Sequence, residues 1–177
     1  MSFPTLAFDG GRILPFEARH LTPRYVAWLN DPEVVRYSEQ RHRVHTMDSC
    51  RAYFESLQRS TDHFLAIESE AHGHVGNIGV GVDTANGVAD VSIILGEKAV
   101  WGTGIASRAW TSTVKTLADR FVRKVTAGTM AVNEPMLRLM TRSGMAIEGR
   151  RARHFLWEGQ EVDLVFAAMF RSPNRTS

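Results

Sequence analysis

Cysteine is nearly absent from this chain: Cys50 is the only one among 177 residues. An internal disulfide is therefore excluded, and so is a thiolate cage for a metal ion. A reducing compartment suits such a chain, and the expectation is cytoplasmic. A strong charge of one sign is lacking as well. The 21 Lys and Arg stand against 19 Asp and Glu, a formal net charge of +2, and the basic residues are dispersed. Nothing in that balance calls for nucleic acid. The one tight basic cluster, Arg150-Arg-Ala-Arg153, is read as a solvated strand edge before a phosphate patch. No apolar run approaches the roughly 20 residues of a membrane span, and the N-terminus lacks a basic-then-apolar leader pattern. No membrane partner is expected. His72 and His74 have no third ligand at a recognised spacing, so no metal is expected either.

What is present is an ordinary globular composition, 44% hydrophobic and 23% charged. One domain over residues 1–171 with a polar tail at 172–177 is the expectation. Turn signals divide the chain into a hairpin around Asp9-Gly10-Gly11-Arg12 and a short helix after Thr22-Pro23. A second helix follows from Thr46, then strands near 64–67, 75–82 and 88–95. Residues 105–121 carry Ile105, Ala109, Trp110, Val114, Leu117 and Phe121 at helical spacing. A strand over 124–132, a short helix over 134–143 and a closing hairpin around Glu158-Gly159 complete the order. Tight turns between strands argue for antiparallel pairing, while the long crossover from Leu95 to Lys124 argues for one parallel pair. The fold class expected is α/β (α+β): a single mixed, mostly antiparallel twisted sheet with helices on both faces. Its central parallel pair splays, and a cofactor can enter the gap.

The most informative stretch joins the third main strand to the long helix: Leu95-Gly-Glu-Lys-Ala-Val-Trp-Gly-Thr-Gly-Ile-Ala-Ser107. A glycine-bearing loop at a helix start aims several main-chain N–H groups at one point, beside the positive end of the helix. That is a site for phosphate or pyrophosphate. Gly102 and Gly104 allow close approach to the main chain, and Ala106 is the next smallest residue. A dinucleotide-binding βαβ unit does not fit, because the third glycine and the downstream ribose-binding acid are missing.

On Trp101-Gly-Thr-Gly-Ile-Ala106, on Asn133 followed eleven residues later by Gly144-Met145, and on Arg153-His154 with Glu158-Gly159 and Asp163, the chain resembles the GNAT superfamily of acetyl-CoA-dependent N-acyltransferases. It looks most like the RimJ/RimL branch. The resemblance runs from Trp28 to Asp163. It implies acetyl-CoA as cosubstrate, its pantetheine arm pairing with the strand edge at Ile94, Leu95 and Gly96. Its pyrophosphate would lie on the amides of Gly102, Thr103, Gly104, Ile105 and Ala106, with the Ser107 hydroxyl adding a contact. Arg138 would approach the nucleotide phosphates. Arg108 stands where glutamate is common and is expected to face solvent. Two catalytic candidates follow from the resemblance. Asp90 would act as a base through water, and Asn133 would orient the pantetheine arm or the crossing helix. The tyrosine that many members use as thiolate acid is Met140 here.

Acceptor choice is expected to rest on residues 30–45, with Tyr37, Glu39 and Arg41 as substrate contacts. The string Trp-Leu-Asn-Asp-Pro-Glu-Val looks like branch members that modify amino-sugar nucleotides. Three readings stay open: an amino-sugar nucleotide or other small amine, a protein N-terminus, and a CoA-binding sensor without turnover. A homodimer is compatible with each.

Overall fold

The computed structural model describes residues 3–57 and 59–172; all but the first residue of the expected polar tail lies outside them. Strands β1 (Leu6–Phe8) and β2 (Gly11–Pro15) form the first hairpin. Its turn places Gly10 at φ 82°, where a glycine is needed. Helix α1 (Pro23–Leu29) starts with proline in its first turn, and the Thr22 hydroxyl accepts the Tyr25 N–H at 3.2 Å. Helix α2 (Met47–Leu57) precedes the meander β3 (His63–Ser69), β4 (Gly73–Asp83) and β5 (Val88–Leu95). Helix α3 (Ile105–Thr116) runs on through a wider turn to Phe121. Then come β6 (Lys124–Met130), α4 (Glu134–Arg142), β7 (Ala146–Trp157) and β8 (Gln160–Phe170).

These strands make one eight-stranded sheet in the order β1-β2-β3-β4-β5-β6-β8-β7. Every neighbouring pair is antiparallel except β5 with β6. That parallel pair registers at only Val88–Lys124, Ala89–Val125 and Asp90–Thr126. Beyond Asp90 the strands part, while β5 stays bonded to β4 as far as the Gly76–Leu95 pair. Residues 91–95 therefore show one unpaired edge to the gap.

Alternation along the strands sends successive side chains to opposite faces. Ile13, Leu65, Ile67, Ile78 and Val91 pack under α3 and α4 with Trp110, Val114, Leu117 and Met140. Leu14, Phe16 and Ala66 pack under α1 and α2 with Tyr25, Trp28, Leu29 and Cys50. The stretch around His72 departs from expectation. The turn ends at His72, and β4 already begins at Gly73, so His74 is buried inside the strand.

His74 belongs to a buried polar group beneath α1. His20 Nδ1 accepts the Glu17 N–H at 2.8 Å, which puts the ring proton on Nε2, 3.1 Å from the Glu68 carboxylate. Arg12 and Arg19 also donate to Glu68, at 2.8 and 2.5 Å. Burial alone would push Glu68 up, but the hydrogen bonds from His20, Arg12 and Arg19 outweigh it and hold the carboxyl at about 2.

Candidate active site

The glycine loop takes its shape from two left-handed residues, Gly102 at φ 77° and Gly104 at φ 84°, the latter capping α3. A side chain at Gly102 would meet nothing within 4 Å, so the main chain there borders open space. The first bond of the helix runs from the Arg108 N–H to the Gly104 carbonyl at 3.1 Å. The N–H groups of residues 105–107 precede it and point out of the positive helix end. Arg108 stays partly exposed, as expected, and is also bonded. Its Nε donates to the Asp9 carbonyl at 2.8 Å and a terminal nitrogen to the Thr103 carbonyl at 3.3 Å, tying the first hairpin to the loop.

In front of this loop lies a cleft of about 520 Å³. Ile93, Ile94 and Leu95 of the unpaired β5 edge line it, with Gly102, Gly104, Ala106 and Ser107 from the loop and α3. Asn133, Arg138 and Arg142 close the α4 side, and Tyr37 the other. Three of the expected cofactor residues turn their side chains or faces elsewhere. Gly96 backs onto Trp28, where an added Cβ would overlap the indole at 2.0 Å. Ile105 is sealed in the core, and the Thr103 hydroxyl donates to the Val100 carbonyl at 2.7 Å. The Leu95 carbonyl accepts the Trp101 indole N–H at 3.0 Å. Asn133 spends both ends of its amide locally. Its oxygen caps α4 at the Met136 N–H, 3.3 Å away, and its nitrogen donates to the Thr129 hydroxyl at 2.9 Å. Arg138 pairs with Glu134 at 2.9 Å on the helix surface. An open main-chain cradle, a positive helix end and a free strand edge suit a ligand carrying phosphates and amides.

Asp90 sits at the last paired position of the parallel strands and accepts the Thr126 hydroxyl at 2.7 Å. Desolvation pushes its carboxyl up, and the Thr126 bond opposes that. It borders neither the cleft nor the cavity described next. Among the three expected substrate residues, Tyr37 alone borders the cleft, stacked on Trp157 with ring centroids 5.6 Å apart. Glu39 and Arg41 pair with each other at 2.9 Å, and Arg41 also donates to the Ser38 and Leu156 carbonyls. They sit against the closing hairpin.

A second cavity, of about 300 Å³, lies on the α1/α2 side of the sheet. Tyr25 and Leu29 come from α1, Cys50 and Tyr53 from α2, Asn77 and Gly79 from β4, and Ser92 and Ile94 from β5. Gln40, Arg43 and His45 come from the loop between the helices. Ile94 is shared with the cleft, so the two spaces meet at the splay. A Cβ at Gly79 would stand 2.9 Å from the Ser92 hydroxyl, so glycine there keeps the cavity open. Among the described residues Arg43 is the only permanently charged side chain in the lining, and no carboxylate takes part. Burial raises the Tyr25, Tyr53 and Cys50 groups, keeping all three protonated at neutral pH. The sequence held one signal for this cavity: Asn77 and Ser92 are polar residues at the middle of apolar strands.

A splayed parallel pair with a main-chain anion cradle at its mouth is the architecture of an acyltransferase that draws on CoA thioesters. The family model "Acetyltransferase (GNAT) domain" matches residues 12–146, and the chain belongs to that family. Solved structures agree in fold. RimL, a ribosomal L7/L12 alpha-N-protein acetyltransferase in complex with CoA, is 15% identical with a TM-score of 0.82, covering 94% of this chain and 98% of its own. Spermidine N-acetyltransferase from Vibrio cholerae, in complex with CoA and spermine, is 14% identical with a TM-score of 0.82 and coverages of 93% and 97%. Ribosomal-protein-S5-alanine acetyltransferase from Vibrio fischeri is 14% identical with a TM-score of 0.78 and coverages of 96% and 98%. The chain thus shares its fold with these three acetyltransferases. No curated protein matches the sequence. Among the described residues no helix is long and apolar enough to cross a membrane.

Proposed function

We propose that this acetyltransferase modifies the primary amine of a small anionic acceptor, an amino-sugar nucleotide ahead of a protein N-terminus, with both substrates bound together. The observation that carries this reading is the lining of the second cavity: one arginine, no carboxylate, and contact with the cleft at Ile94. A polycation would find no counter-charge there, whereas a phosphate or carboxylate near the amine would find Arg43. Acetyl-CoA supplies the acetyl group as an activated thioester. The Gly102–Ser107 segment holds the pyrophosphate, the free edge of Ile93 to Leu95 runs beside the pantetheine amides, and Arg138 with Arg142 meets the nucleotide phosphates. Asn133 positions α4 against the cleft. Acceleration comes chiefly from holding the amine against the thioester at the splay.

Release of CoA thiol from acetyl-CoA, measured across UDP-amino sugars, spermidine and N-terminal peptides, tests the reading. Anionic amines should turn over best, and Arg43→Ala should lower their kcat/KM about tenfold, the worth of one charge-assisted contact. Preference for spermidine, or indifference to Arg43→Ala, counts against it.

A further inference from the structure

We propose that Nε2 of His45 receives the proton given up by the acceptor amine. This inference rests on the acetyltransferase reading above and supplies the base which that reading leaves unassigned. Asp90 is bonded to Thr126 and borders neither space, whereas His45 lines the second cavity.

His45 is held in place by its main chain. The Asn30 side chain accepts the His45 N–H at 2.8 Å and donates to the His45 carbonyl at 2.8 Å, while also donating to the Val26 carbonyl at 3.0 Å. The residue is thereby clamped to the end of α1. The residue lines the cavity that reaches Ser92 and Ile94 at the splay. Nε2 is closed to bulk water and has no hydrogen-bond partner among the described residues. A polar atom left in that state is costly, and an N–H from a bound amine would relieve the cost. The other such ring atom, Nδ1 of His74, borders a separate groove behind α1.

The titratable and polar groups that line the cavity with His45 are few. Arg43 comes from the same loop, Tyr25 from α1, and Cys50 and Tyr53 from α2, while β4 and β5 contribute only Asn77 and Ser92. Burial first, and Arg43 second, push the ring below the ordinary histidine value. At neutral pH the ring is neutral, and with its proton on Nδ1 it offers a lone pair at Nε2.

The balance is simple. An acceptor arriving as R–NH3+ loses two protons. One passes to Nε2 of His45, and the imidazolium so formed gives up its Nδ1 proton to solvent. The freed nitrogen pair forms the N–C bond to the thioester carbon, and the C–S bond breaks with its electron pair going to sulfur. The second nitrogen proton is lost to that thiolate, giving the amide and the CoA thiol.

The test joins the pH dependence of kcat/KM, read by thiol release with the best amine of the panel, to NMR titration of the histidine rings in the intact protein. The wild type should show an acidic limb whose midpoint matches the titration of His45, below the ~6.5 of a free imidazole. His45→Gln should lose that limb and fall about 100-fold at neutral pH, with its KM for acetyl-CoA and its Tm unchanged. Asn30→Ala should keep the limb and lower kcat, because the ring is present but no longer held. An acidic limb that survives in His45→Gln overturns the proposal. So does a His45 midpoint more than about one unit from the limb, a comparison that needs no variant to fold. Wild-type protein that releases no thiol with any amine would defeat the acetyltransferase reading instead. A His45 ring titrating at or above ~6.5 would then still decide against this one.

Discussion

Gly96 and Gly104 stand at the two ends of the loop after β5 and are glycines for different reasons. At Gly96 a side chain would enter the Trp28 indole, a packing matter. At Gly104 the main chain is left-handed, and an added Cβ would stand 2.9 Å from the Arg108 guanidinium, beside the cradle. Gly104→Val should therefore abolish the rise in Tm that saturating CoA gives the wild type, a rise expected from binding to the folded state alone. A variant that folds and keeps that rise would show the loop to have no part in CoA binding. The buried histidines make a second expectation. Burial, then the neighbouring His20, push His74 down to about 4, and His20 is lowered as well. Between the ordinary histidine value of 6.5 and about 4, the unfolded chain binds protons that the folded one refuses. Stability therefore falls as pH falls through that window, and Glu68, held at about 2, extends the loss below 4.5. Urea unfolding at stepped pH should show the slope, and His74→Leu should reduce it by about one proton, roughly 1.4 kcal/mol per pH unit. An unchanged slope would mean that His74 is charged in the fold. The sequence displayed the glycine loop openly, since six consecutive residues carry it. His20, Glu68 and His74 are up to 54 positions apart at ordinary-looking places, and only burial joins them.

Among the elements, β5 does the most. Its first three residues are locked to β6 and its last five are free on that side. Asp90 and Thr126 bond across the final locked pair, which makes their contact the pin of the splay. Asp90→Asn should keep a hydrogen bond there and leave the acidic limb of kcat/KM in place. A lost limb would return the base role to Asp90 and remove it from His45. The order of elements was legible in sequence because period-two strands and the period-3.6 helix 105–121 are long and punctuated by glycine turns. The ends were less so: β3, β4 and β8 each extend beyond the apolar stretches that announce them, because paired main chain continues through polar residues, among them the buried Glu68, Ser69 and His74. The second cavity was not legible as a site. Six segments contribute between one and four residues each, and apart from the polar Asn77 and Ser92 none carries a signal of its own. Glu39 and Arg41 looked like substrate contacts because charge in a loop suggests recognition, yet their charges are satisfied by each other.

At the scale of the whole molecule, the sheet divides the work between its faces. The α3/α4 side and the loop frame the cleft, the α1/α2 side frames the second cavity, and Ile94 is the residue common to both. That shared wall has a consequence for traffic. With acetyl-CoA in the cleft and the amine in the second cavity, as proposed, the two reactants need not queue, because each space has its own lining and they share only Ile94. Initial rates measured against both substrates should give intersecting lines, and CoA should compete with acetyl-CoA but not with the amine. Parallel lines would mean that the acetyl group rests on the protein between two visits. The sheet would then have to be seen as a relay station and not as a junction.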